Sequence, residues 1–137
     1  EQMVKEFKRP GRAGGGGFYD YPSGQPKRLW PGLKAHFEKP GAHATVAELS
    51  QRLLYRQAIE TARCLAEGVL TSTHDANIGS IFGIGFPAWT GGAMQFIYGM
   101  GIDAFIARAE QLAAKYGPGF ALTDAVKATI RQHQPVY

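Results

Sequence analysis

The chain has 137 residues, of which 45% are hydrophobic and 19% charged, and its formal net charge is +4. This composition is typical of a globular domain, and no apolar run approaches the ~20 residues that a transmembrane helix requires. Because the one cysteine cannot form an internal disulfide, we expect a reducing, cytoplasmic compartment. The chain begins with Glu1 rather than methionine, and we expect it to be a segment of a longer protein.

The first forty residues differ from the rest in both charge and composition. They contain eight basic and four acidic side chains and therefore carry the whole net charge of +4. Their Gly- and Pro-rich sequence lacks a helical period and favours turns and extended segments. GFYDYPSG, residues 17–24, predicts one short strand or an extended arm that ends in a Pro-Ser-Gly turn. We assign residues 1–40 as a basic linker or the tail of a preceding domain, and residues 41–137 as a helical domain.

The longest predicted helix spans residues 46–67. Thr45 and Glu48 form a capping box at its start, and Gly68 is suited to end it. Apolar residues recur along it at steps of three and four, which predicts one buried face. The residues assigned to that face are Val46, Leu49, Leu53, Leu54, Ala58, Ala62, Leu65 and Val69.

Four further helices are predicted after it. They are a short helix over 74–82 with Ser72 or Thr73 as its cap, a helix in the segment 91–100, a strongly periodic helix over 102–116, and a last helix that Thr123 caps and Pro135 limits. Their candidate buried residues are Met94, Ile97, Tyr98, Met100, Ile102, Phe105, Ile106, Ala109, Leu112, Ala113, Tyr116, Val126 and Ile130. No segment after residue 40 alternates with a period of two, so we predict an all-α domain of about five helices.

The loop FGIGFPAWTGG, residues 82–92, contains a loose match to the G-x-G-x-x-[GA] pattern that binds a dinucleotide pyrophosphate. That pattern requires a preceding strand, whereas a helix is predicted here. Pro87 also removes one amide that could face a phosphate. We therefore interpret the loop as a connector between helices. Trp89 either anchors an interdomain contact, if it is exposed, or belongs to the core.

The remaining polar residues do not form a recognisable catalytic or metal-binding pattern. The histidines His36, His43, His74 and His133 lack metal-ligand spacing, and one cysteine cannot build a thiolate site. The adjacent pair His74 and Asp75 is interpreted as a helix start. Two pairs have the spacing of surface ion pairs, Glu48 with Arg52 and Glu60 with Arg63.

Three segments in this order resemble the C-terminal helical domain of 3-hydroxyacyl-CoA dehydrogenases. They are GRAGGGGFYDY, QRLLYRQAIETARCLAEGVL and HDANIGSIFGIGFPAWTGGAMQFIYGMGIDAF, and together they cover essentially the whole chain. GFYDY precedes the helical domain, which resembles the second of two tandem helical copies at the C-terminus of a multifunctional fatty-acid oxidation complex α subunit. The resemblance implies a helical fold like the C-terminal domain of 6-phosphogluconate dehydrogenase.

The resemblance also implies a function. Such enzymes oxidise (S)-3-hydroxyacyl-CoA to 3-oxoacyl-CoA with NAD in fatty-acid β-oxidation, and the multifunctional ones also have enoyl-CoA hydratase activity. Their catalytic histidine, its glutamate and the NAD site belong to a domain absent here, so we expect this chain to bind no cofactor and to be inactive alone. Gln51 occupies the position of the family's catalytic asparagine. Residues assigned to a substrate or interdomain contact are Gly85, Phe86, Pro87 and Trp89.

The expected partners are the preceding NAD and helical domains, acyl-CoA bound by the whole enzyme, and a thiolase subunit or a second copy. Two alternatives are a free-standing module that binds nucleic acid through its basic arm, and a dimerisation domain that buries the region 94–100. The predicted helices carry no net positive charge and include no recognisable reading helix, which argues against nucleic-acid binding. We therefore expect no nucleic acid, no metal ion and no membrane span.

Overall fold

A computed structural model describes residues 1–41 and 44–135. The chain divides into two compact units, Glu1–His43 and Ala44–Tyr137. Within the described residues there are seven α-helices and one two-stranded sheet, which confirms the predicted all-α class. No helix in these two ranges is both long enough and apolar enough to cross a lipid bilayer.

The first unit contains a small hairpin between two short helices. Its elements in chain order are α1 (Gln2–Lys5), β1 (Tyr19–Asp20), β2 (Arg28–Leu29) and α2 (Gly32–Phe37). The strands are antiparallel, with Tyr19 opposite Leu29. A turn follows β1, where the Gln25 amide donates to the Pro22 carbonyl at 3.3 Å, as the Pro-Ser-Gly sequence predicted. The two short helices were not predicted, because the surrounding glycines and prolines conceal them.

The Arg9 side chain holds the hairpin together. Its Nε donates to the Gly17 carbonyl at 2.8 Å, and its Nη2 donates to the Tyr19 carbonyl at 3.2 Å and also pairs with Asp20. A Cβ atom built on Gly16 would lie 2.8 Å from Nη2 of Arg9. The glycine run therefore leaves the space in which the guanidinium lies.

Aromatic rings complete the first unit. The Phe7 ring lies 5.3 Å from Trp30 and 4.6 Å from His36, measured between ring centroids. The guanidinium of Arg9 lies over the Trp30 ring at 4.6 Å from its centroid, a cation–π arrangement. Within residues 1–41 the buried residues are Gly16 and Gly17. Stacked aromatic rings and the Arg9 side chain therefore take the place of an aliphatic core.

Residues 44–135 of the second unit contain five α-helices. They are α3 (Val46–Ala66), α4 (Thr73–Ile84), α5 (Ala93–Met100), α6 (Ile102–Tyr116) and α7 (Asp124–Gln132). The predicted caps are confirmed, since the hydroxyls of Thr45, Ser72 and Thr123 each accept an amide of the first turn. Gly68 follows α3 with φ +74°, a conformation that favours glycine.

The core of the second unit lies between α3, α5, α6 and α7. Five of the seven residues of α6 predicted to be buried are buried, and so are Met94, Ile97, Val126 and Ile130. The other predicted core residues Tyr98, Ala113 and Tyr116 are only partly buried. Tyr55 was not predicted to be buried, yet it is fully enclosed and stacks on Phe105 with 4.6 Å between ring centroids. This stack joins the centre of α3 to α6. Met100 was wrongly assigned to the core and is exposed.

The predicted buried face of α3 was partly wrong. Val46, Leu49 and Leu53 are 80%, 44% and 69% exposed, and Val69 beyond the helix end is also exposed. Nine residues of α-helix are two and a half turns, so residues nine apart point in opposite directions. The three exposed residues lie nine positions before the buried residues Tyr55, Ala58 and Ala62. The prediction was partly wrong because apolar residues spaced by three and four had been assigned to one face, although they belong to two opposite faces of the helix.

The Arg9 contacts generate a prediction about the first unit. Arg9→Ala should destabilise this unit by about 2 kcal/mol or more, because it leaves Asp20 and two carbonyls without a partly buried, charged donor. Hydrogen exchange of the strand amides would measure the loss. Arg12→Ala is the matched control, since Arg12 only overlies the Tyr21 ring at 5.6 Å. Equal exchange in the two variants would contradict the role assigned to Arg9.

Candidate functional site

The connector between α4 and α5, residues 85–92, is the segment to which a contact was assigned. It begins at Gly85 with φ +71° and contains one short 3-10 turn, Ala88–Thr90. Trp89 is 82% exposed, so it is a surface residue rather than part of the core. Phe86 is only 2% exposed, and its ring meets the Phe96 ring at 5.7 Å between centroids. The structure thus places Phe86 in the core and leaves Trp89 as the large side chain that the connector presents outward.

Side chains of α4 cap the first turn of α5. The Asn77 Oδ1 accepts the amides of Met94 and Gln95 at 2.9 and 3.0 Å. The Ser80 hydroxyl accepts the Ala93 amide at 3.0 Å and donates to the Asn77 carbonyl at 2.8 Å. The free amides at a helix N-terminus are the groups that would hold a phosphate. Here these amides already have partners, which agrees with the interpretation of the loop as a connector.

Gly92 makes this capping possible. Its φ is +110°, and a Cβ atom at this position would lie 2.5 Å from the Cα of Asn77. The Gly92 amide in turn donates to the Thr90 hydroxyl at 3.2 Å. A glycine is therefore needed here both for its backbone conformation and for the close approach of α4.

Gln51 connects α3 to α6. Its Oε1 accepts from both Nε and Nη2 of Arg108, at 3.0 and 2.6 Å. Another nitrogen of Arg108 donates to Gln111 at 2.8 Å. The Gln51 carbonyl is therefore committed to an interhelical contact. Among the described residues, no hydrogen bond joins it to the connector, so the structure does not link the two predicted sites.

A polar cluster at the start of α3 escaped the sequence analysis. Glu48 accepts from Lys115 at 2.5 Å and from the Tyr116 hydroxyl, and the Arg52 guanidinium lies 4.1 Å from the centroid of the Tyr116 ring. The hydrogen bond from Lys115 lowers the pKa of Glu48, and the bond from Tyr116 lowers it further. The predicted pair of Glu48 with Arg52 was therefore wrong, because Glu48 pairs across to α6. The other predicted pair, Glu60 with Arg63, is confirmed at 2.8 Å.

The other polar candidates of the sequence analysis are the helix start at Asp75 and the possible metal ligands. Asp75 accepts from the Ser72 hydroxyl at 2.8 Å, as expected of a helix start. His43 lies outside the described residues. Within 1–41 and 44–135, no three His, Cys, Asp or Glu side chains are grouped to hold a metal ion.

The basic charge of the first unit is partly balanced within that unit. Within residues 1–41, four basic side chains lie within 4 Å of an acidic one, and the pairs are Lys5–Glu1, Arg9–Asp20, Arg28–Asp20 and Lys34–Glu38. Its aromatic residues Phe18, Tyr19 and Tyr21 are exposed.

The capping of α5 generates a prediction about stability. Asn77→Ala should lower the free energy of unfolding of the second unit by about 1–3 kcal/mol, because two amides of α5 lose their acceptor. Asn77→Asp is the control, since it keeps an acceptor oxygen and places a negative charge at the positive end of the helix dipole. Urea unfolding would compare them. Equal loss in both variants would contradict the capping role.

The cluster around Glu48 predicts a pH dependence. A carboxyl whose pKa is lower in the folded chain than its ordinary value of 4.5 contributes stability above that value and loses it as the pH falls. Glu48→Gln should therefore flatten the decline of the melting temperature below about pH 4.5. Lys115→Gln should flatten it as well, since it removes the largest cause of the lowered pKa. An unchanged slope in both variants would contradict this assignment.

Comparisons with known proteins find similarity to one named complex subunit. No protein-family model matches it. The chain is 34% identical over 126 residues to the fatty acid oxidation complex subunit alpha of Shewanella sp. (strain ANA-3), which covers 88% of this chain and 18% of that protein. It is 33% identical over 125 residues to the protein of the same name from Vibrio cholerae serotype O1, covering 90% of this chain and 18% of that protein.

The chain spans less than a fifth of the length of these curated relatives. The matches nevertheless cover about nine-tenths of its own length, which is more than either unit contains, so they include residues of both. This agreement supports the family of the fatty acid oxidation complex subunit alpha as the one to which the chain belongs.

Proposed function

We propose that the chain is a supporting helical segment of an NAD-dependent (S)-3-hydroxyacyl-CoA dehydrogenase of fatty-acid β-oxidation. The whole enzyme would also have enoyl-CoA hydratase activity and would act in the cytoplasm. The observation that carries the proposal is the match of 88% of the chain to the fatty acid oxidation complex subunit alpha. By resemblance, NAD and the catalytic histidine belong to a domain outside this chain.

The proposed role of the segment is structural rather than catalytic. A catalytic amide must be free to bind the substrate, whereas the Gln51 oxygen accepts two hydrogen bonds from Arg108. The first amides of α5 are likewise used by Asn77 and Ser80. These contacts support a structural role, in which the segment packs against the neighbouring NAD and helical domains. The exposed Trp89 is the proposed anchor for the contact with one of these domains.

The test uses the complete polypeptide to which this chain belongs. We expect it to form NADH from NAD and an (S)-3-hydroxyacyl-CoA, and the 137-residue chain alone to form none. A free-standing binding module would instead be found in cells as a polypeptide of this length. A complete polypeptide that lacks the dehydrogenase activity would overturn the proposal.

Substitution of Gln51 tests whether this residue stabilises the fold or takes part in the reaction. In the complete enzyme, Gln51→Ala should lower kcat by less than about tenfold, equivalent to about 1.4 kcal/mol of transition-state stabilisation. It should nevertheless lower the melting temperature, because Nε and Nη2 of Arg108 lose their acceptor. Gln51→Glu is the control, since its carboxylate can still accept from Arg108 and should preserve the melting temperature. A larger loss of kcat at unchanged stability would assign Gln51 to the reaction.

A further inference from the structure

The hairpin of the first unit has two sides of different character. Asp20 and Arg28 lie opposite each other, and together with Arg9 they form an ion-paired side. Tyr19 lies opposite Leu29, and because successive residues of a strand point to opposite faces, both belong to the other side. Tyr19 and Leu29 are 37% and 61% exposed. The second side of the hairpin is therefore an accessible aromatic and aliphatic surface.

Two cations lie against the tyrosines of this surface. The Lys27 Nζ is 4.8 Å from the centroid of the Tyr19 ring, and the Arg12 Cζ is 5.6 Å from the centroid of the Tyr21 ring. Within residues 1–41 and 44–135, neither cation lies within 4 Å of an acidic side chain. We define the basic face as Arg12, Tyr19, Tyr21, Lys27 and Leu29. Because none of these five residues is acidic, the face is complementary to negative charge.

A small cavity opens beside the same two tyrosines. It has a volume of about 230 Å³, and its mainly apolar lining includes Met3, Val4 and Pro10 as well as Tyr19 and Tyr21. Sites for cofactors and other small molecules usually have roughly 300–1,000 Å³. The cavity is therefore suited to one large side chain rather than to a nucleotide-sized ligand.

The backbone groups beside the cavity already have partners. The Gly11 amide donates to the Gly16 carbonyl at 2.9 Å, and the Gly17 amide donates to the Tyr19 carbonyl at 3.0 Å. The Gly17 carbonyl accepts from the Arg9 Nε at 2.8 Å. A nucleobase has polar edges that would need hydrogen-bond partners inside the cavity, whereas an apolar side chain needs none. These bonds therefore favour an apolar side chain as the occupant.

We propose that the basic face and its cavity bind an acidic segment of another polypeptide. One large apolar side chain of the segment enters the cavity, and carboxylates on either side of it pair with Lys27 and Arg12. Tyr19 and Tyr21 are two positions apart, which is about 7 Å in an extended chain. In an extended ligand, the residues before and after the apolar one have the same separation. The proposal concerns the surface of the first unit and does not depend on the proposed reaction.

A second copy of these 137 residues cannot supply such a segment. No two acidic residues in the sequence lie within four positions of each other, so none of them flank one apolar residue. The dimer considered from the sequence was placed at residues 94–100, which contain no acidic residue. That location is wrong, since Met94 and Ile97 are fully buried in the core of their own unit.

Fluorescence anisotropy of a labelled peptide tests the proposal on the 137-residue chain. The peptide Gly-Glu-Asp-Phe-Asp-Glu-Gly should bind saturably, and added salt should weaken it because exposed charges are screened. Alanine in place of its phenylalanine should raise the Kd at least about tenfold, since the cavity is left unfilled. Lysine in place of its acidic residues should abolish binding. No binding of the acidic peptide at millimolar concentration, or tighter binding of a labelled oligothymidylate, would overturn the proposal.

Variants of the chain test the location of the site. Lys27→Glu should raise the Kd of the acidic peptide at least about tenfold, because it places like charges together. Lys34→Glu is the matched control, since it makes the same change of charge in α2, whose residues do not line the cavity. Val4→Trp should fill the cavity from an exposed position and exclude the phenylalanine.

Hydrogen exchange of the strand amides checks that the hairpin is intact in each variant. With an intact hairpin, undiminished binding by the Lys27→Glu or Val4→Trp chain would overturn the proposal. Equal losses in Lys27→Glu and Lys34→Glu would do the same, because they would reflect the net charge of the unit rather than a site.

Discussion

The close approach of α4 to the first turn of α5 constrains the rest of the second unit. Asn77 and Ser80 supply the acceptors that α5 cannot find in its own connector, and Gly92 provides the space for them. The direction in which α5 leaves this point determines how Ile97 reaches the core between α3 and α6. The connector itself can then be short and rich in glycine, with Phe86 in the core and the Thr90 hydroxyl bonded to the backbone of Pro87 and Gly92.

The accuracy of the sequence analysis followed the number of apolar faces on each helix. On α6 there is one face, so its period identified every buried residue of that helix. On α3 there are two opposite apolar faces. A search for apolar residues in steps of three and four residues passes from one face to the other, because it does not register that residues nine apart point in opposite directions. Trp89 stands in a loop that has no period, so only the structure could decide its exposure. The partners of Asn77 and Gln51 lie 17 and 57 residues away, beyond any local pattern.

The first half of α3 uses its two sides differently. On one side, the Gln51 oxygen accepts from a guanidinium of α6, and this contact joins the two helices. The opposite side of the same helix remains apolar and exposed, as in a segment made to be covered by other polypeptide.

The arginine within the glycine run has a consequence for the evolution of the first unit. Any side chain larger than hydrogen at Gly16 would displace the guanidinium of Arg9, and the hairpin would then keep its backbone pairing but lose the bonds from Arg9 to Gly17 and Asp20. A change at either residue alone therefore weakens the hairpin. Among homologues, the arginine and its glycine should therefore be inherited or lost together, as a covarying pair separated by seven positions.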